Sequence, residues 1–261
     1  MNTLVFDIET VPDVELGRRL YDLGDLSDAD VAKAMAAKQK QARQTDFLPP
    51  PQQRVVAISI LLRSRDGLKL SSLGDEQSSE RELVQRFYDG LERYMPTLVS
   101  WNGSGFDLPV LAYRALRHGV NASRYWEVGE ADREFRYNNY LSRYHWRHID
   151  LMDVLSGYGA SGRSSLETVA QLIGLPGKLG VGGAHVWAAY QRGELAAIRD
   201  YCETDVLNTY LIYLRFQLTR GELDPIAYQK EIELVEAKLA EAGRPHLTEY
   251  LELWKTTRHA R

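Results

Sequence analysis

The sequence predicts an α/β protein built on a mixed sheet. An apolar run at Leu4–Phe6 reads as a first strand. A hairpin follows, with Arg54–Leu62 and Leu68–Leu73 joined through Arg65-Asp66-Gly67. Strand–helix units come next, beginning with Thr97–Trp101 and Leu108–His118. A hairpin succeeded by strand–helix alternation gives a sheet with both antiparallel and parallel neighbours, covered by helices.

After the first strand, Asp13–Lys40 is rich in Ala, Leu, Lys, Asp and Glu and reads as one or two surface helices. Gln39–Gln44 is polar, and Pro49-Pro50-Pro51 reads as a stiff, extended linker. Residues 13–51 are thus a helical insertion packed beside the core. Ser79 with Glu82 is a capping-box signature for a helix to about Tyr94, stopped by Met95-Pro96. Gly119 closes the Leu108–His118 helix. His148–Leu151 is the last strand. Ser164 with Glu167 opens a helix ended by Gly174, and Pro176–Gly183 is a Gly-rich loop. Ala184–Arg192 is a short helix, and Leu195–Arg220 is a long amphipathic one. Pro225 to about Ala242 and His246–Thr256 form a helical C-terminal extension.

Composition narrows the class. With 261 residues, 44% hydrophobic and 26% charged, the chain has an ordinary globular balance and enough length for a sizeable core. One cysteine, Cys202, permits neither an intrachain disulfide nor a Cys-based zinc site. The expectation is a reducing, cytoplasmic setting, with no membrane partner and no protein partner assigned. The net charge of −4 argues mildly against a nucleic-acid binder held by bulk charge alone. A site that recruits phosphate through metal ions does not need a basic excess.

Three stretches carry chemistry. Asp7 and Glu9 are two apart, so on a strand both carboxylates project from one face while Ile8 points into a core. Paired acids repel unless a cation lies between them, and magnesium takes hard oxygen ligands of this kind. In Ser100–Leu108 (SWNGSGFDL) a strand is followed by a turn, and Asp107 stands at the next helix start. This is where open α/β sheets bind ligands, although Asp107 read alone is equally an N-cap. In Asp200–Asn208 (DYCETDVLN), Tyr201 and Asp205 are four apart and stack on one helical face. Cys202, about 100° round the helix from Tyr201, reads as simply buried.

Taken together and in this order, these stretches resemble the three exonuclease motifs of the DEDD 3′–5′ exonucleases. Tyr201 places the chain with the DEDDy subgroup; the sister subgroup has His five residues before the last Asp, where this chain has Asp200. The Asn-x-x-x-Phe-Asp form is most similar to the proofreading domain of family B DNA polymerases, and the chain resembles stand-alone bacterial relatives of that domain. The likeness runs from Asn2 to about Arg220 and takes in His148-Ile149-Asp150-Leu151 and the Lys178–Gly183 loop. No polymerase domain follows in these residues, so proofreading within one chain is not expected.

The resemblance implies an RNase H-like fold with a mixed five-stranded sheet flanked by helices. It divides the chain into an exonuclease domain, 1–220, and an extension, 221–261, packed on the same domain. Asp7, Glu9, Asp107 and Asp205 are implied ligands of two divalent cations, Mg²⁺ or Mn²⁺, that clamp an in-line phosphoryl displacement. Asp7 would bridge both ions. Tyr201, with an ordinary pKa of about 10, suits positioning of the attacking water better than deprotonating it. Thr10, Asn102 and Phe106 are implied contacts to the 3′ nucleotide, and core packing is an equal reading of Phe106. The implied activity is release of nucleoside monophosphates from the 3′ end of single-stranded nucleic acid, DNA favoured. No residue identifies a contact that would separate RNA from DNA at the 2′-OH.

The Tyr125–Arg147 segment alternates aromatics with Arg and suits a single-strand channel. Glu127, Glu130, Asp132 and Glu134 bring its charge near zero, and it reads as a solvated, partly packed loop. His145, His148 and His185 are not read as metal ligands. Two rival readings remain. HAD-type phosphatases also open on an apolar strand ending in Asp-x-Asp, but the third position here is Glu, and the two later motifs would be left without a role. A nucleic-acid-binding or scaffolding module of exonuclease fold would have no reason to keep the full acid set.

Overall fold

The computed structural model describes residues 2–177 and 185–259. The Lys178–Gly183 loop and the start of the predicted Ala184 helix lie outside the described residues. Strand β1 (Thr3–Pro12) is followed by helices α1 (Val14–Tyr21) and α2 (Asp28–Arg43). Strands β2 (Gln53–Ser64) and β3 (Gly67–Ser72) form the hairpin, and α3 (Glu80–Tyr94), β4 (Thr97–Ser100) and α4 (Asp107–His118) follow. Then come α5 (Ser123–Trp126), β5 (His148–Asp150), α6 (Leu151–Leu155), α7 (Leu166–Leu172), α8 (Val186–Gln191), α9 (Leu195–Thr219), α10 (Pro225–Ala242) and α11 (Pro245–His259). No helix among the described residues is long and apolar enough to cross a membrane.

The five strands lie in the order β3-β2-β1-β4-β5. β1 is antiparallel to β2 and parallel to β4, and β4 is parallel to β5. This is the RNase H-like mixed sheet with flanking helices. Alternation along β1 sorts its side chains onto two faces. Leu4, Phe6 and Ile8 join a core with α3, α4 and buried Tyr125, Phe135 and Tyr140. Val5 points the other way, into a core with Val99, Ile149 and α9. Asp7 and Glu9 share the parity of Val5 and therefore the α9 face.

Helix α9 differs from the amphipathic expectation. Every residue from Tyr201 to Leu214 is buried. One side meets the sheet, while Ile232, Val235 and Leu239 of α10 and Tyr250 and Trp254 of α11 cover the other. A helix with apolar partners all round needs no polar face.

The insertion folds into α1 and α2 over a small cluster of Val31, Met35 and Leu48. Its proline run is not an extended spacer. Pro50–Gln52 forms a 3₁₀ turn, because proline at the first helical positions fits the fixed φ and gives up only an N–H that has no partner there. Asp13 caps α1 and is buried against Arg114 of α4, which also pairs with Glu80 of α3. Ser79 caps α3 through the Glu82 N–H, but the Glu82 carboxylate turns to Arg86. The α7 cap is Ser165, bonded to Thr168, rather than Ser164.

Candidate active site

The site is built where β1, β4 and α9 meet. The β1–β2 register shifts between Glu9 and Thr10, so Val56 is an extra residue on the β2 side. Bulges of this kind sharpen strand twist and re-aim neighbouring side chains. On the other edge, β4 follows β1 only as far as Val5–Val99. Beyond that ladder the Ile8 N–H donates to Asp107 Oδ1 at 3.2 Å. The first residue of α4 is thereby fastened to the strand that carries Asp7 and Glu9.

The turn before Asp107 is held from β5. Asp150 accepts hydrogen bonds from the N–H groups of Asn102 and Ser104, both at 2.9 Å. Asn102 is left-handed, at φ 64°, and its carbonyl accepts from the N–H groups of Gly105 and Phe106. A Cβ at 103 would stand 2.2 Å from Ser100 Oγ and 2.6 Å from its Cβ, and one at 105 would stand 2.5 Å from Asn102 Oδ1 and displace that amide. His148 supports the same corner, with Nε2 2.8 Å from Ser100 Oγ.

From α9 come Tyr201, Cys202 and Asp205, all buried. Tyr201 and Asp205 are hydrogen-bonded through their side chains one helical turn apart. Cys202 is more than filler. Its thiol donates to the Asp7 carbonyl at 3.4 Å and reaches Asp7 Oδ2 at 3.5 Å. Ligand atoms of Asp7, Glu9 and Cys202 all lie within 4.8 Å of one another.

The electrostatics follow from crowding like charges in a dry place. Burial first, then the charges of Asp107, Glu9 and Asp205, hold the Asp7 carboxyl well above the usual range. Burial pushes Asp107 up to about 7, against the pull of N–H donors that include Ile8. Burial, followed by Asp205, Glu9 and Asp7, raises the Tyr201 phenol, which therefore stays neutral and able to donate. The same burial and the Asp7 charge push up the Cys202 thiol, so it donates to Asp7 as an S–H. Four carboxylates are a hard-oxygen donor set suited to Mg²⁺ or Mn²⁺.

Of the predicted residues, Asp7, Glu9, Asp107, Tyr201 and Asp205 converge on this cluster. Thr10 lies on β1 beside it and donates through Oγ1 to Gln53 Oε1 at 2.9 Å. Phe106 precedes Asp107, half-buried, with one side on the β1/α3/α4 core. Asn102 serves the turn itself, its amide packed over Gly105. Three residues to which the sequence assigns no role also take part: Asp150, Cys202 and Gln53. Asp150 stands inside a matched motif, whereas Cys202 and Gln53 carry no signal. His145 accepts from the Asn139 N–H, away from the acids.

Residues 45–254 match the family described as predicted 3′–5′ exonucleases related to the exonuclease domain of PolB. The chain belongs to that family. The match takes in α4, α9, α10 and most of α11, and begins after β1. A DNA polymerase from Archaeoglobus fulgidus is 25% identical over 209 residues, covering 78% of this chain and 25% of the polymerase. The catalytic polypeptide of DNA polymerase epsilon from Kluyveromyces lactis is 26% identical over 152 residues, covering 54% of this chain and 6% of that polypeptide. The chain thus spans a quarter or less of these relatives. A family B DNA polymerase structure from Pyrobaculum calidifontis superposes with a TM-score of 0.51 at 19% identity, covering 84% of this chain and 24% of the polymerase. That likeness is one of fold.

Proposed function

We propose that this PolB-like exonuclease domain hydrolyses single-stranded nucleic acid from the 3′ end, DNA favoured, and releases nucleoside monophosphates. The observation that carries the reading is the convergence of four carboxylates from β1, α4 and α9, with Glu9, Asp107 and Asp205 buried and Asp7 half-buried, around a neutral tyrosine. In this reading residues 1–220 are the catalytic domain, 13–51 an insertion in it, and 221–261 an extension that belongs to the same folded unit.

Asp7, Glu9, Asp107 and Asp205 would hold two divalent cations, Mg²⁺ or Mn²⁺. When bound, such ions acidify a water and neutralise charge on the phosphate. The protein's own residues do the rest. The Asp107–Ile8 bond keeps α4 and β1 at a fixed spacing, so the carboxylates need no rearrangement to act together. Tyr201, whose O–H is bonded to Asp205 here, would turn that proton to the attacking water when Asp205 serves as a cation ligand; as a neutral phenol it is not the base. Thr10 and Phe106 hold the terminal nucleotide against the cluster.

The test is an assay of 5′-labelled single-stranded DNA and RNA oligomers of matched sequence, with Mg²⁺, Mn²⁺ or EDTA. A ladder shortening from the 3′ end is expected, lost in EDTA and in Asp7→Ala. Folded protein giving no ladder on either strand would overturn the reading in favour of a binding or scaffolding module.

A further inference from the structure

The end of the insertion reaches the place where the 3′ nucleotide would lie. The ring of Phe47 packs on Phe106, with centroids 5.1 Å apart and planes at 55°. Phe47 is 59% exposed, a large apolar surface left in water. Its backbone is fixed on both sides: its N–H donates to Thr45 Oγ1 at 3.2 Å, and the adjacent Leu48 is buried with Val31 and Met35. The buried Gln53 side chain ties this segment to the site, donating from Nε2 to the Leu48 carbonyl at 2.9 Å while its Oε1 accepts from Thr10. Thr10 and Phe106, the two residues proposed to hold the 3′ nucleotide, are therefore each linked to Phe47 or to the residue beside it.

We propose that Phe47 and Phe106 form an aromatic platform on which the unpaired bases at the 3′ end of single-stranded DNA stack. The inference rests on the exonuclease reading above and adds to it a specificity-determining residue supplied by the insertion. A ring has few rotatable bonds, and here its backbone is already anchored, so little ordering is needed when a base arrives. Stacking reads the face common to all bases, so the platform accepts any sequence but requires an unpaired end. Paired bases present their edges, not their faces, to such a surface.

Packing on Phe106 alone would be served equally by leucine, and this separates the platform from a structural role. The substrate is an oligodeoxynucleotide with 2-aminopurine at its last two 3′ positions. Fluorescence is read in EDTA, and steady-state hydrolysis in Mn²⁺. Wild type is expected to quench the fluorescence; Phe47→Ala and Phe47→Leu are expected to lose that quenching and to raise KM about tenfold or more, the loss falling on KM rather than kcat. Phe47→Trp is expected to restore both, and thermal midpoints of the leucine and tryptophan variants should match wild type. Wild-type quenching and KM in Phe47→Leu would overturn the platform while leaving the exonuclease reading intact. If wild type does not hydrolyse DNA, the exonuclease reading fails, and the EDTA measurement still decides: quenching that depends on the Phe47 ring upholds stacking, and quenching indifferent to it overturns it.

Discussion

At the scale of single residues, the carboxylate cluster works against the fold that contains it. Unfolded carboxyls titrate near about 4. In the folded chain Asp7 is held well above that range and Asp107 rises to about 7, burial being the first cause of each. Between those values the native state binds more protons than the unfolded one. Stability from these groups is therefore fully present at low pH and is lost as pH rises through the folded pKa. Divalent cations take the deprotonated form and offset the loss. The expected outcome is a rise in thermal midpoint with Mn²⁺ that grows between pH 5.5 and pH 8. A shift that is absent at pH 8, or larger at pH 5.5, would count against a metal site here. The task proposed for Tyr201 is narrower. Tyr201→Phe keeps the ring and removes the donor, and kcat is expected to fall about tenfold or more while KM is held. Single-turnover kinetics with saturating enzyme checks this, and equal rates would remove Tyr201 from the water-positioning role.

At the scale of elements, the site depends on how α4 is seated. Its N-terminus is fixed by Asp107 to Ile8, and its later turns by a buried ion-pair network. Arg114 bonds Asp13 at 2.6 Å and pairs with Glu80, while Glu80 also accepts from the Val55 N–H at 2.7 Å. Burial tends to raise the Asp13 carboxyl, but bonds from Arg114 and the Leu16 N–H outweigh it and leave the pKa lowered. One arginine therefore joins the insertion, α3, α4 and, through Glu80, β2. Arg114→Met would leave Asp13 to the partly exposed Arg117 and Glu80 to His118, and a loss of about 1–3 kcal/mol is expected in denaturant unfolding. A loss under about 1 kcal/mol would show that water or a neighbour replaces the guanidinium.

At the scale of the whole molecule, the C-terminal extension is part of the core. Seven of its side chains (Ile232, Val235, Leu239, Leu247, Tyr250, Leu251 and Trp254) are buried with α9 and the sheet. Each such side chain contributes about 1.5–3 kcal/mol, so together they are comparable to the whole stability of a domain, about 5–15 kcal/mol. Polar ties add to this. Arg244 and His246 bond Glu203, and Tyr250 donates to Asn208, all on the helix that carries Tyr201 and Asp205. A chain ended at Arg220 is expected to lose cooperative unfolding, measured by near-ultraviolet circular dichroism. A truncated chain with a native-like melt would make 221–261 dispensable.

The sequence by itself determined the strand hairpin, the strand–helix units and the three motif stretches, because those signals are local. Alternation puts Asp7 and Glu9 on one face, and helical spacing puts Tyr201 over Asp205, whatever the rest of the chain does. The breaker and cap residues Gly119, Ser79 and Pro225 set boundaries for the same reason. Tertiary structure decided what depends on residues far apart in the chain. Whether α9 has a solvent face was settled by α10 and α11, not by its own composition. Cys202 meets Asp7 across 195 positions, and Phe47 meets Phe106 from an insertion with no motif of its own. The raised pKa values of Asp7 and Asp107 likewise come from packing, since charge repulsion and desolvation act through space and no spacing along the chain encodes them.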